Sequence, residues 1–466
     1  MRIFRHYVPV SVLVLATTEV LIFIGATYAG LAARLDGPDL NRPTDLAVYP
    51  AFHKALVFTL VMTAAFFSFG LYQRQHHHVR WRYYAQCLAS FATGAFLLVL
   101  VYYALPQLYP GPRAFALALL IALGGDILAR GVFLRLAALD MFKKRILVLG
   151  TGSRAAKVAS LEHANGHNHN FHVVAYLPDN GNVGEVDPSL ILRNGSSLQS
   201  IVDQYQIDEI VVGIRDRRHG HMPMKELLER KLGGTNIIEL STFLERETGR
   251  VELETLNPSW LIFSDGFRNG ALRSAIKRLF DIVVSGLLLL SALPVMVIIA
   301  LLIWLESGRP ITYTQPRIGV TGRPFNLLKF RSMRLDAEAD GLPRWATQND
   351  DRCTTIGRLI RKLRFDELPQ LINVLKGEMS FVGPRPERPL FVQQLTKEIP
   401  YYSHRLAIKP GITGWAQIHY PYGASVRDAR EKLQYDLYYV KNHSLMLDLV
   451  ILAQTVHTVL FAEGAR

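Results

Sequence analysis

"LFDIVVSGLLLLSALPVMVIIALLIWL", Leu279 to Leu305, is the stretch on which the architecture turns. At roughly 1.5 Å per residue it is long enough to cross a bilayer as a helix. Two features oppose a simple crossing. Pro294 sits near the middle, where it deletes a backbone hydrogen bond and kinks a helix. Cations crowd both ends, with Arg268, Arg273, Lys277 and Arg278 before the stretch and Arg309, Arg317 and Arg323 after it. A spanning helix would carry one cluster outward, against the tendency of Lys and Arg to stay on the cytoplasmic side. A broken helix that enters the cytoplasmic leaflet and returns keeps both clusters inside. Ser291, three residues before the proline, can hydrogen-bond a carbonyl freed by the kink. The segment therefore reads as re-entrant, and a crossing helix in a polytopic chain is the alternative.

Upstream lie four apolar segments, Tyr7–Leu35, Ala51–Tyr72, Ala85–Leu105 and Ala114–Leu136. Each has the roughly 20 residues that a transmembrane helix needs. Arg2, Arg5 and His6 precede the first. Arg74, His76, His77, His78, Arg80 and Arg82 fill the loop between the second and third. Arg135, Lys143, Lys144 and Arg145 follow the fourth. The other two loops are poor in Lys and Arg, and the first holds Asp36, Asp39 and Asp45, so both ends of the bundle face the cytoplasm. The first segment is too long for a cleavable signal and lacks a small-residue cleavage pattern. A soluble four-helix core fits such long apolar runs poorly. Glu19 and Asp126, inside these segments, are expected to face the bundle interior and serve packing.

"RILVLGTGSRAAKV", Arg145 to Val158, then opens a different pattern. A short apolar run ends in Gly150-Thr-Gly152, and a helical stretch follows. Phe171–Leu177, Glu209–Ile214 and Asn236–Leu240 read as further strands with helices between some of them. Such alternation predicts a small doubly wound, Rossmann-like α/β domain. The glycines form G-x-G-x-x-A, with Ala155 in third place, which suits a phosphate at a helix N-terminus. Any tight strand-to-helix turn also wants them, and Asp179 comes late, after a proline. A bound dinucleotide and a structural or regulatory domain both stay open.

At 466 residues the chain has room for about three domains. The predicted order is a four-helix transmembrane bundle over 1–142, the α/β domain over 143–255, a linker over 256–274 and a mainly helical domain over 275–466. The last domain carries the re-entrant helix 279–305 and ends in Ser444–Phe461. Asp448, Gln454 and His457 interrupt that final apolar run, which suits a helix lying at the membrane interface. No internal repeat or low-complexity tract occurs. The 52 Lys and Arg against 39 Asp and Glu give a charge of +13, which fits anionic lipid, phosphorylated substrates or nucleic acid. The two cysteines, Cys87 and Cys353, lie far apart without metal-ligand spacing and argue against a disulfide framework and a zinc site.

The candidate chemistry centres on "RKLRFDELPQLINVLKGEMSFVGPRPE", Arg361 to Glu387. Pro369 suits the first position of a helix running to Leu375, and Lys376-Gly377 is a stop. Asp366 and Glu367 therefore precede a helix N-terminus, whose dipole favours negative charge, and Arg361 and Arg364 would also keep a carboxylate ionised. An ionised Asp can hold a metal or attack phosphorus. An ordinary helix-start acid pair among surface arginines fits the same residues. The neighbours favour chemistry. Lys329 and Arg331 in "KFRSM" share a face if the segment is a strand, Arg385 sits in the rigid "GPRP" turn, and "KPGITGWAQI" sets Trp415 and Gln417 beside Lys409. Arginines on stiff backbone suit bidentate phosphate contacts, so these motifs together read as a site for a polyanionic substrate such as a nucleotide diphosphate. Trp345 and Trp415 among the cations could bind a nucleic-acid strand, but no nucleic-acid motif is present and the chain is tied to a membrane. Nucleic acid is not expected as a partner.

From about Ala275 onward the chain resembles the catalytic domain of the bacterial sugar transferases, the monotopic polyprenyl-phosphate phosphoglycosyl transferases. "KRLFD", "PRIGVTGRPFNLLKFRSM", "TTIGRLIRKLRFDELPQLINVLKGEMSFVGPRPE", "KPGITGWAQI" and "YDLYYVKN" carry the resemblance in order. The bundle and α/β domain upstream resemble the large members, which initiate exopolysaccharide or O-antigen assembly. "NPSWLIFSDGF" is similar to a subgroup associated with exosortase-linked clusters. The resemblance implies an inner-membrane enzyme, its catalytic domain on the cytoplasmic face, that converts a UDP-sugar and undecaprenyl phosphate into undecaprenyl-diphosphate-sugar and UMP. It implies that Asp366 is the nucleophile toward the β-phosphorus, and that Glu367 completes the dyad. Arg361 and Arg385 lie with the substrate, and Mg²⁺ is held by Asp366, Glu367 and Asp436. A homodimer is consistent with the large members. Leu293 precedes the kinking proline where many members have Ser, and Arg364 stands where Ser or Thr is common. A non-catalytic membrane scaffold is the rival from another class.

Overall fold

The computed structural model describes residues 2, 3, 6, 7, 9–35, 50–72, 80–138, 143–164, 170–178, 185–192, 197–214, 223–256, 270–335, 337, 351–420, 423 and 425–460. Arg5, Asp36, Asp39, Asp45, Arg74, His76, His77, His78, Asp179, Arg268, Trp345 and the "NPSWLIFSDGF" stretch lie outside the described residues. Apart from a few N-terminal residues, the chain falls into two compact units, Tyr7–Glu247 and Thr248–Arg466.

Four long apolar helices open the first unit: α1 (Val10–Leu35), α2 (Ala51–Ser68), α3 (Arg80–Ala104) and α4 (Pro112–Ala138). α1 packs on α4 and α2, and α2 packs on α3. Phe23, Phe58, Met62, Phe66 and Leu98 fill the space between them. Leu21, Leu60, Phe96, Leu120 and Leu128 point outward, the arrangement a bilayer rewards and water does not. Among the described residues five helices are long and apolar enough to cross a membrane, these four and Ala271–Ser307. The protein is a membrane protein. Glu19 and Asp126 are buried in the bundle, as expected, and Arg130 joins them. Its Nη2 lies 2.6 Å from Glu19 Oε1 and its Nε 2.9 Å from Asp126 Oδ1, while Nη1 donates to the Tyr83 hydroxyl. Buried charges persist in such surroundings when they pair, and here one guanidinium serves two carboxylates.

The α/β part follows. Strands β1 (Lys144–Leu149), β2 (Phe171–Leu177), β3 (Glu209–Val212) and β4 (Asn236–Glu239) form one parallel sheet in the order β2-β1-β3-β4. Ile146 and Val148 pack with Val158 and Phe243 on one face, and Leu147 and Leu149 with Ile201 and Ile210 on the other. That two-sided burial is why these strands read as unbroken apolar runs. Gly150, at φ +109°, makes the turn from β1 into α5 (Ser153–Ala164). Helices α6 (Leu198–Tyr205), α7 (Met224–Leu232) and α8 (Leu240–Thr248) complete this part.

The second unit is built around α9, Ala271–Ser307, which runs on through Pro294 and is not broken there as the sequence suggested: the proline removes one amide donor, and the rest of the helical ladder continues past it. Ser291 Oγ donates to the Leu288 carbonyl at 3.1 Å, not to that of Leu290, the one the proline leaves without its partner. Near its start, Arg278 donates to the Val374 and Leu375 carbonyls, and Asp281 Oδ1 accepts from Ser380 Oγ and Phe381 N. At its other end Ile299 and Ile303 pack with Phe330 and Ile360, and Glu306 accepts from the Thr355 and Ile356 amides. Both ends thus fasten to the same unit, while Leu287, Leu290, Leu293 and Val297 between them stay exposed. The hairpin β5 (Thr312–Ile318) and β6 (Pro324–Phe330) follows, then α10 (Thr355–Lys362), α11 (Gln370–Lys376), β7 (Ser380–Val382) and α12 (Pro389–Glu398). β8 (Gly411–Thr413) pairs parallel with β7, and α13 (Trp415–His419), α14 (Val426–Asn442) and α15 (Leu445–Leu460) close the chain.

Candidate active site

The acid pair sits in a single turn between two helices. Thr354 caps α10 by accepting the Gly357 amide, and α10 ends at Lys362 with Leu363 as its C-cap. Arg364 then takes a left-handed backbone, φ 60° and ψ 15°, which swings Phe365–Glu367 into a tight helical turn. Pro369 stands at the N-cap of α11, not at the first helical position where the sequence placed it, and Gly377 at φ +89° stops the helix one residue beyond the expected Leu375. Asp366 and Glu367 are both buried.

Cations converge on Glu367. Its Oε1 lies 2.8 Å from Arg385 Nη2, 3.2 Å from Lys329 Nζ and 4.0 Å from Arg364 Nη1. Lys329 arrives from β6, which Asn373 of α11 holds in register by accepting the Leu328 amide and donating to the Asn326 carbonyl. Arg385 arrives from the Gly383–Pro386 turn, locked to the Lys409–Thr413 stretch by Gly383 N to Thr413 O and Gly411 N to Pro384 O. A Cβ on Gly411 would run into Gly383 N, so two backbones pass here closer than any side chain permits.

The two carboxylates diverge in chemistry. Burial pushes the Asp366 carboxyl above the usual aspartate value, with Lys329 opposing and Glu367 adding repulsion. Burial also works against charge on Glu367, but Arg385 and Lys329 hold it well below the usual range. Lys329 is itself pushed down by burial, against the pull of Glu367. The dipole and nearby arginines were expected to keep Asp366 charged, yet desolvation is the larger effect on it. Among the described residues the Asp366 carboxylate accepts no hydrogen bond. A desolvated, unbonded oxygen beside a carboxylate neutralised by two cations is suited to nucleophilic attack on an electron-poor, anionic centre such as phosphorus.

Other residues singled out by sequence fall in different places. Arg361 Nη1 donates to Cys353 Sγ at 2.8 Å, and its charge still acts on Asp366. Arg331 lies just past the end of β6 and caps the C-terminus of α9, donating to the Ser307 and Gly308 carbonyls, so it parts company with Lys329. Gln417 Nε2 donates to the Ile412 carbonyl within the β8–α13 turn. Asp436 on α14 is held by Arg405, whose Nε and Nη2 reach its Oδ2 at 2.9 and 2.8 Å. The same Nη2 donates to the Arg385 carbonyl at 2.9 Å. Sequence reasoning missed Arg405 and Asn373. Nothing in the sequence separates a buried arginine from surface ones, although Asn373 in the apolar "LINVL" run was a readable sign of a buried amide.

The described residues hold no cluster of three or more His, Cys, Asp or Glu side chains able to bind a metal. Mg²⁺ nevertheless fits the donor set, because it is commonly bound by one or two carboxylates together with substrate phosphates and water. Asp366 and Glu367 Oε2 carry no hydrogen bond among the described residues, whereas Asp436 is committed to Arg405.

Comparison with known proteins agrees with the geometry. The model of the family described as bacterial sugar transferase matches residues 272–462. The chain is 39% identical over 259 residues to a UDP-N-acetylgalactosamine-undecaprenyl-phosphate N-acetylgalactosaminephosphotransferase of Aeromonas hydrophila, covering 56% of this chain and 60% of that protein. It is 43% identical over 194 residues to an undecaprenyl-phosphate glucose phosphotransferase of Komagataeibacter xylinus, covering 41% of this chain and 36% of that protein. A putative undecaprenyl-phosphate N-acetylgalactosaminyl 1-phosphate transferase of Bacillus subtilis (strain 168) is 52% identical over 132 residues, 28% of this chain and 73% of that protein. The chain thus spans less than two thirds of the length of the first two of these relatives. With these matches meeting a buried acid pair in a cationic turn, the chain belongs to the bacterial sugar transferase family.

Proposed function

We propose that this protein transfers a phosphosugar from a UDP-sugar to undecaprenyl phosphate, giving undecaprenyl-diphosphate-sugar and UMP. The reaction would be the first membrane-committed step of exopolysaccharide or O-antigen synthesis. The observation that carries the reading is the dyad itself: a buried Asp366 carboxylate that accepts no hydrogen bond among the described residues, next to a Glu367 held by Lys329 and Arg385. Asp366 attacks the β-phosphorus of the UDP-sugar. The bond from that phosphorus to the bridging oxygen breaks, and UMP leaves with the electron pair on that oxygen. An oxygen of undecaprenyl phosphate then attacks the phosphorus on Asp366, and the aspartyl carboxylate is released unchanged. Glu367 keeps Arg385 and Lys329 aimed at the phosphates. Mg²⁺, held by Asp366 and Glu367, would neutralise charge on the diphosphate and the departing UMP.

Membrane topology fits the same reading. Arg278 and Asp281 at one end of α9, and Glu306 at the other, are bonded to one compact unit, which supports a helix that enters and leaves by the cytoplasmic leaflet. A site there meets a soluble UDP-sugar and a lipid phosphate at one surface, and cations beside it attract both. Two relatives are named for N-acetylgalactosamine and for glucose, so their UDP-sugars are tested first, with UDP-galactose beside them. UMP release is the test, using the full chain in detergent with undecaprenyl phosphate, Mg²⁺ and a panel of UDP-sugars. Release with at least one sugar, abolished by Asp366→Asn, is expected. No release with any of them favours a scaffold, and turnover retained by Asp366→Asn removes the covalent step.

A further inference from the structure

Arg364 is the cation of the site that the fold uses least. Arg385 and Lys329 reach Glu367 Oε1 at hydrogen-bond distance, while Arg364 stands off at 4.0 Å with its side chain 42% exposed. Arg361 is occupied with Cys353. The Arg364 guanidinium thus pairs loosely with Glu367 while keeping access to solvent, and its charge acts on Asp366 as well. Its backbone is left-handed, a conformation in which glycine or asparagine sits with less strain. A turn that only had to reverse the chain would be better served by either. An unfavourable backbone retained under a cation points to a use for its side chain. Four cations, Lys329, Arg361, Arg364 and Arg385, surround two carboxylates, and the formal surplus of positive charge calls for an anion.

We propose that Arg364 seats the phosphoryl group that is transferred, moving off Glu367 to grip the terminal phosphate of the nucleotide diphosphate beside Asp366. The inference rests on the reaction proposed above. It assigns the surplus cation to the one phosphate that must lie against Asp366 in both half-reactions. Arg385 and Lys329 stay on Glu367, so the dyad keeps its charge balance when substrate binds.

UDP and UMP differ by that terminal phosphate, and binding of each to the full chain is measured by titration calorimetry. Arg364→Gly and Arg364→Asn remove the cation while suiting the left-handed backbone. Both should keep or raise the thermal midpoint, weaken UDP binding about tenfold or more, and leave UMP binding unchanged within about twofold. Arg364→Lys should recover part of the UDP affinity. A purely structural residue predicts the opposite, full UDP affinity in the glycine variant. Equal losses for UDP and UMP, or none for either, overturn the proposal. Where the wild type releases UMP from a UDP-sugar, such a result removes the Arg364 assignment alone. A wild type that neither releases UMP nor binds UDP removes the underlying reaction with it.

Discussion

Arg405 holds Asp436 through two nitrogens on one carboxylate oxygen, and one of those nitrogens also supports the carbonyl of Arg385. Asp436 is thereby linked to Glu367 through the backbone of the Pro-Arg-Pro turn and the Arg385 side chain. Asp436→Asn is expected to leave a buried guanidinium short of its charge partner, at a cost of about 3–5 kcal/mol. Turnover should fall because Arg385 loses its footing, while the Mg²⁺ concentration for half-maximal UMP release stays at the wild-type value. A shifted Mg²⁺ requirement would make Asp436 a metal ligand instead.

Asp366→Asn tests the electrostatics as well as the chemistry. Burial raises the Asp366 pKa, so above that value the folded state carries an ionised carboxylate that it solvates poorly. The folded protein binds the proton more tightly than the unfolded chain, and stability contributed by the raised pKa is lost as pH rises through it. The Asn variant, neutral at every pH, should therefore be more stable than wild type at pH 7. The advantage should shrink as pH falls below the raised pKa. Thermal unfolding from pH 4 to 8 reads this directly, and a variant less stable than wild type at pH 7 contradicts it.

The same divergence sets the pH dependence of turnover. Glu367 is held ionised by Arg385 and Lys329 far into acid, so the acid limb of UMP release belongs to Asp366. It should lie above the ordinary aspartate value. Glu367→Gln removes a neighbouring negative charge that raises Asp366, so the acid limb of its residual activity should move to lower pH. Movement in the other direction would assign the limb to a different group.

How much of this was readable in advance depended on what the backbone alone fixes. That Asp366, Glu367 and Arg385 lie in tight turns was legible, because prolines and glycines bound those turns, and stiff turns announce themselves in sequence. Strand Phe171–Leu177 appeared where its apolar run lies, and Glu209–Ile214 and Asn236–Leu240 only lost a residue or two at their ends. Partnerships were not legible. Lys329 and Arg331 are two apart and look equivalent, yet β6 stops at Phe330 and sends them to different tasks. Arg130, inside the fourth apolar segment, drew no notice in the sequence, because an arginine's partner is chosen by the packing of other helices. The sign of the Asp366 shift was also hidden, since burial, which decides it, is a property of the folded unit.

Arg130 gives a prediction for the bundle. It is the one cation shown between Glu19 and Asp126 among the described residues, and Phe66, Tyr72 and Tyr83 surround its guanidinium. Arg130→Gln would leave both carboxylates buried without their counter-charge and should destabilise the bundle by about 3–5 kcal/mol. Arg130→Lys should rescue only partly, because an ammonium cannot present the fork that reaches Glu19, Asp126 and Tyr83 together. Yield and thermal midpoint in detergent measure the effect.

Topology supplies the last prediction. Both anchored ends of α9 call for cytoplasmic placement of the segment after it, where Thr321 is exposed at the tip of the β5–β6 hairpin. In a chain whose Cys87 and Cys353 are replaced, a cysteine at Thr321 should resist a membrane-impermeant maleimide in intact cells and react once the membrane is opened. Reaction in intact cells would place the hairpin outside and make α9 a true crossing. Asp281→Ala separates anchoring from topology. It leaves Ser380 Oγ and the Phe381 amide without their acceptor, at a cost of about 1–3 kcal/mol, and should lower turnover through β7 and the Arg385 turn that follows it. Labelling at Thr321 should be unchanged in that variant, because Arg278 and Glu306 still fasten the two ends of α9 to the same unit.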